Sequence, residues 1–71
     1  MQRAGYFRKE FNKALRLRRD KGLEMEVPKG KEVMAYYQNV YNSLREIKDL
    51  RDKLQVVKVR DRIFVVHRGV L

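Results

Sequence analysis

Apolar residues recur every three or four positions at the start of the chain, and near its end two runs of β-branched and aromatic residues flank a group of charged ones. The first of these patterns predicts an amphipathic helix over residues 2–20. Gly22 follows its last basic turn, where helices commonly end with a residue in the left-handed conformation. The apolar stripe of this helix consists of Ala4, Phe7, Phe11, Ala14 and Leu15.

The middle of the chain predicts a short strand followed by a long helix. Residues 23–27, LEMEV, alternate apolar and acidic, and Pro28 keeps this strand short. A near-heptad rhythm then predicts a helix over residues 31–54, although a straight helix of that length would span roughly 35 Å. A break near residues 42–43 is therefore an alternative. The stripe consists of Val33, Tyr37, Val40, Leu44, Ile47 and Leu54.

The segment VVKVRDRIFVVH, within residues 55–67, predicts a β-hairpin with a basic tip. A two- or four-residue connection would pair Val59 with Phe64 and Val57 with Val66, and these four side chains would then face the core. A three-residue connection would invert half of that assignment.

These elements predict an α+β fold in a single domain over residues 1–71, with the hairpin at the C-terminus. The order of helix, short strand, one or two helices and hairpin resembles a minimal winged helix. That resemblance implies that the first strand pairs with the hairpin, which forms the wing. It also implies that the preceding helix enters the major groove with basic or amide side chains.

The net charge of +9 is large for 71 residues, and it is concentrated at the two ends of the chain. Residues 1–22 hold eight basic residues and two acids, residues 23–54 hold six of each, and residues 55–71 hold four bases and one acid. Because the second helix is neutral, the sequence places phosphate contacts on the first helix and the hairpin. The candidate nucleic-acid-binding residues are Arg3, Lys9, Lys13, Arg16, Arg19, Lys58, Arg60 and Arg62.

Residues that could carry enzymatic chemistry are scarce. The chain has no cysteine, one histidine and one serine, so we expect no catalytic site, no metal and no cofactor. Three tyrosines, at positions 36, 37 and 41, raise the alternative of stacking on bases. A place in the core is favoured for Tyr37 and Tyr41, whereas Tyr36 is the candidate for exposure.

The sequence therefore predicts a small nucleic-acid-binding protein, with duplex DNA favoured over RNA. Its predicted role is that of a transcriptional regulator or architectural factor, of the kind that a phage or other compact genome encodes. The alternative is an interaction protein that binds and modulates an acidic protein. The width of the helical stripe also favours a homodimer. No run approaches the roughly 18 apolar residues of a membrane span, so we expect no membrane partner and a cytoplasmic location.

Overall fold

The structure is a computed structural model that describes the backbone of residues 4–69 and the side chains of residues 7–69. Its element order confirms the predicted α+β class, with three helices and a three-stranded antiparallel sheet. The elements are α1 (Ala4–Arg16), β1 (Leu23–Met25), α2 (Val33–Arg45), α3 (Lys48–Arg51), β2 (Leu54–Val59) and β3 (Arg62–His67).

Helix α1 is amphipathic as predicted, but it ends at Arg16 rather than at residue 20. The chain leaves the helical path at Leu17, whose carbonyl oxygen accepts a hydrogen bond from Nε2 of His67 at 3.1 Å. This tertiary contact supplies a partner for a carbonyl that has none within the helix. Among the side chains that the structure describes in α1, those of Phe7, Phe11 and Ala14 are fully buried.

Gly22 has a different role from the predicted helix cap. The glycines with positive φ among the described residues are Gly30 and Gly69, so the left-handed assignment of Gly22 is wrong. A Cβ at Gly22 would lie 2.7 Å from Cγ1 of Val66. The glycine is therefore required because the chain passes closely over the side chain of Val66 on the sheet.

The helix predicted over residues 31–54 is wrong in its bounds, since the helical part starts at Val33 and ends at Arg51, and Leu54 begins β2. The helix is also broken, and the break lies at Glu46 and Ile47 instead of residues 42–43. Ile47 is extended, with φ −104° and ψ 95°, and this resets the helical phase. As a result Leu50 faces the core at 2% exposure, although Arg51 would have occupied the stripe of an unbroken helix. Nη1 of Arg51 instead donates a hydrogen bond to the carbonyl oxygen of Arg45 at 3.2 Å, which satisfies one acceptor at the end of α2.

Strand β1 pairs antiparallel with β3, so the sheet order is β1-β3-β2. This is the pairing that the winged-helix resemblance implies. The strand covers Leu23–Met25 and is shorter than the predicted 23–27. Soon after it the chain turns, and the carbonyl oxygen of Pro28 accepts a hydrogen bond from the amide of Lys31 at 3.1 Å.

The hairpin turns over two residues, Arg60 and Asp61, so Val57 lies opposite Phe64. A two-residue hairpin turn needs a positive φ at its centre, and Arg60 supplies it with φ 57° although no glycine is present. The predicted pairs, Val59 with Phe64 and Val57 with Val66, are wrong by two residues.

The core side of the hairpin is the side opposite to the predicted one. Its buried residues are Leu54, Val56, Ile63 and Val65. The four residues predicted to face inward form instead the outer face of the sheet, which we define as Val57, Val59, Phe64 and Val66. Three of these are half-buried, and Val59 is 52% exposed. All three helices contribute to one apolar cluster with the inner side of the sheet.

None of the helices within residues 4–69 is long and apolar enough to cross a membrane.

Candidate functional site

The positive charge of the described chain is hardly neutralised internally. Every described lysine and arginine is exposed except Lys58, which is half-buried. Ion pairs between exposed side chains contribute about 0–1 kcal/mol each, so they do little to offset the charge. Within residues 7–69 the ion pairs are Lys13 with Glu10 at 3.9 Å, Arg18 with Asp20 at 3.3 Å, and Arg62 with Glu24 at 3.9 Å.

Helix α1 presents a row of cations on the side opposite its buried stripe. Lys9, Lys13 and Arg16 are separated by four and three residues, which places them on one side of the helix, and all three are exposed. The row is roughly 10 Å long at about 1.5 Å per residue. Because it points away from the core, the row can meet an extended anion without any change in the fold.

Arg19 lies at a different place from that row. Its Nη2 donates a hydrogen bond to the carbonyl oxygen of Arg68 at 3.3 Å, which fixes it beside the C-terminal end of β3. Another predicted residue, Arg3, lies outside the described residues.

Two cations of the hairpin tip have partners within the fold. Nζ of Lys58 donates a hydrogen bond to the carbonyl oxygen of Arg60 at 3.0 Å, and Arg62 pairs with Glu24. The tip lies at the opposite end of β3 from Arg19, and six residues of strand span roughly 20 Å at about 3.3 Å per residue. The predicted cations therefore occupy three separate places rather than one surface.

The structure shows a concave site that the sequence did not indicate. A cleft of about 520 Å³ lies between the end of α2, α3 and the start of β2. We call it the arginine cleft and define it by the side chains of Tyr41, Arg45, Arg51, Asp52 and Arg68.

An aromatic ladder runs along α2 into the arginine cleft. The rings of Tyr37 and Tyr41 are stacked, with centroids 6.0 Å apart and planes inclined by 25°. The guanidinium carbon of Arg45 lies 5.7 Å from the centroid of the Tyr41 ring, within the range of a cation–π contact. We define this ladder as Tyr37, Tyr41 and Arg45, each four residues from the next. It ends in a guanidinium group at the cleft.

A second cleft, of about 270 Å³, adjoins the first and shares Asp52 and Arg68 with it. It also contains Arg19 and Lys53. Among the described residues that line the two clefts, Asp52 is the single acid. This end of the molecule is therefore strongly basic as well as concave, a combination that favours binding of an anion.

Sequence reasoning missed both arginines because it treated Arg51 as a single interruption of the apolar stripe of one long helix and placed Arg45 on the neutral side of that helix. There Arg45 would stand four residues from Asp49 and form a supporting pair. The break at Ile47 separates these two positions onto different helices, and their charges are not paired in the structure. The one available signal was Arg51, a charged residue at a position of the apolar stripe.

Tyr36 also differs from expectation, since it is half-buried and packs edge-on against Phe7 with ring centroids 5.9 Å apart. Tyr41, which was expected in the core, is 37% exposed and lines the arginine cleft. Of the three tyrosines of α2, Tyr41 is therefore the one whose side chain is exposed at the cleft.

His67 joins the end of β3 to the segment after α1 at the same end of the molecule. Since a carbonyl oxygen only accepts hydrogen bonds, the 3.1 Å contact means that Nε2 of His67 donates to Leu17. Within residues 7–69 no group of three or more histidine, cysteine, aspartate or glutamate side chains could hold a metal ion.

No protein-family model, curated protein or solved structure matches this chain. Its function is accordingly inferred from the chemistry of its surface.

Proposed function

We propose that this protein binds nucleic acid through the phosphate backbone, with duplex DNA as the preferred partner, and acts as a small regulator or architectural factor rather than as an enzyme. The observation that supports the proposal is the exposed and largely unpaired charge of a chain with a net +9. Self-repulsion of this size destabilises a compact state, and phosphates relieve it.

The row on α1 is the principal contact in this proposal. Lys9, Lys13 and Arg16 neutralise phosphates along one edge of a groove, while Arg60 and Arg62 at the hairpin tip reach the backbone further along. The tip and the row are on different parts of the surface, so together they would follow a duplex over some distance. Structured RNA offers the same phosphates and is the alternative nucleic acid.

Binding to duplex DNA is expected to weaken steeply as salt is raised. If roughly six phosphates are neutralised, the logarithm of the association constant should fall with the logarithm of the salt concentration at a slope of about −5. Fluorescence anisotropy with labelled duplex DNA, single-stranded DNA and structured RNA at several salt concentrations measures this slope and ranks the three partners. A slope near zero for all three would contradict the proposal.

A second candidate function is the binding of an acidic protein, and the outer face of the sheet favours it. Its apolar side chains, including the 52% exposed Val59, lie beside Arg62 of the hairpin tip. Apolar surface beside cations suits a partner that carries both apolar and acidic side chains.

The second candidate can be tested by passing a nuclease-treated extract of the source organism over the immobilised protein. The wild-type chain is expected to retain an acidic protein in stoichiometric amount. The Val59→Asp variant should lose that partner, because it places a negative charge in an exposed part of the outer face of the sheet without disturbing the core. Equal retention by both chains, or recovery of nucleic acid alone, would contradict the second candidate.

The homodimer remains a prediction, and light scattering at several concentrations is its test. The helical stripe leaves less apolar surface for a second copy than its width suggested, because Leu50 is buried and Tyr36 is half-buried within one copy, while Met34 is 47% exposed. The cytoplasmic location likewise stays a prediction.

A further inference from the structure

We propose that the arginine cleft binds a single nucleotide with a terminal phosphate, such as the phosphorylated end of a nucleic-acid strand. This inference rests on the proposed nucleic-acid binding and names a second, separate site for it. In this assignment the base stacks on the guanidinium group of Arg45, which ends the aromatic ladder. The guanidinium groups of Arg51 and Arg68 bind the phosphate.

The size of the cleft suits this ligand. Its volume of about 520 Å³ lies within the range of roughly 300–1,000 Å³ typical of small-molecule sites. Two side chains of its floor, Leu44 and Leu54, belong to the buried core and are at most 4% exposed. The floor of the cleft is therefore held in place by the packing of the domain, while its arginine side chains are exposed and accessible to a ligand.

The charge of the cleft suits a terminal phosphate better than one inside a strand. Three guanidinium groups and one carboxylate give the arginine cleft a formal charge of +2. A phosphate monoester carries about −1.5 to −2 charges at neutral pH, whereas a phosphodiester carries one. Guanidinium groups also bind phosphate oxygens through two parallel hydrogen bonds, which a row of lysines does not offer.

The aromatic ladder is what distinguishes a nucleotide from a bare anion. Bases stack on tyrosine rings and on the planes of arginine guanidinium groups. The guanidinium group of Arg45 packs on the ring of Tyr41, and the ring of Tyr37 stacks on Tyr41. Arg51 also donates to the carbonyl oxygen of Arg45, so the residue at the end of the ladder is held near the phosphate-binding side chains.

The decisive test compares short single-stranded oligonucleotides that carry a 5′-phosphate, a 3′-phosphate or no terminal phosphate, by fluorescence anisotropy. Wild-type protein is expected to prefer one phosphorylated end by roughly tenfold, because charge-assisted hydrogen bonds are lost without the phosphate. Arg68→Gln should remove this preference, and Tyr41→Leu should weaken all strand ends by removing the ring. Arg8→Gln is the matched control, since it removes an exposed arginine outside the cleft. Circular dichroism verifies that each variant is folded.

The outcomes separate this site from the proposed function. If the wild type binds duplex DNA with a steep salt dependence but shows no preference for phosphorylated ends, the cleft proposal fails and nucleic-acid binding stands. If Arg68→Gln behaves like Arg8→Gln, the cleft proposal fails as well. If no nucleic acid binds at all, the proposed function fails. Titration with deoxyadenosine monophosphate, followed by NMR shifts of Tyr41 and Arg45, distinguishes a free nucleotide as the ligand from a strand end.

Discussion

Replacing Val65 with aspartate is expected to unfold the protein, whereas replacing Val57 with aspartate is expected to leave it folded. Val65 is fully buried on the inner side of the hairpin, and an unpaired carboxylate there would cost several kcal/mol. A domain of this size buries only about 60% of its unfolded surface and has little stability to lose. Val57 is half-buried on the outer face, where the carboxylate remains in contact with water, so a loss of about 1–2 kcal/mol is expected.

Thermal and urea unfolding, followed by circular dichroism, measure this difference. The pair is well matched, because both changes put the same charge in place of the same residue type within one hairpin. If both variants are unfolded, the outer face must be covered in the native state. If Val57→Asp unfolds the protein while Val65→Asp does not, the orientation of the sheet described above is wrong.

The sequence could predict α1 and the order of the elements because each depends on a pattern of apolar residues that allows only one buried side. The spacing of Phe7 and Phe11 allows a single buried side of a helix, and the alternation in residues 23–27 has a single apolar side. In the hairpin both sides are apolar, so alternation alone does not choose between Val57 and Val56 for the core. Leu54 decides it, since it starts β2 on the same side as Val56.

The candidate site was less predictable, because the arginine cleft depends on where the second helix breaks. A heptad pattern continues through Ile47, and only the extended backbone of that residue turns Leu50 into the core. Once the phase is reset, Arg51 moves beside the end of α2. Arg68 reaches the same cleft from the end of β3. Because it is far from Arg45 and Arg51 in the chain, no local sequence pattern indicates that these side chains lie together.

Replacing the three cations of the α1 row with glutamine is expected to weaken duplex binding more than the other surface variants described here. The variant carries Lys9→Gln, Lys13→Gln and Arg16→Gln, and glutamine maintains the helix because its helical propensity is close to that of lysine and arginine. Each lost phosphate contact lowers the steepness of the salt dependence by about 0.9, so the slope should change from about −5 to about −2. At moderate salt the affinity should fall by roughly a hundredfold or more.

The control for this prediction is a variant with the same change in net charge elsewhere on the surface, at Lys29, Lys31 and Lys48. All three are exposed and none belongs to the row, the hairpin tip or the two clefts. If the α1 row is the contact, the control should retain most of the affinity and the steep slope. A further variant with Arg60→Gln and Arg62→Gln should reduce the steepness by about 2, because two phosphate contacts are lost. Equal losses in the α1 variant and its control would mean that binding follows net charge alone, and the assignment of a contact surface to α1 would then be wrong.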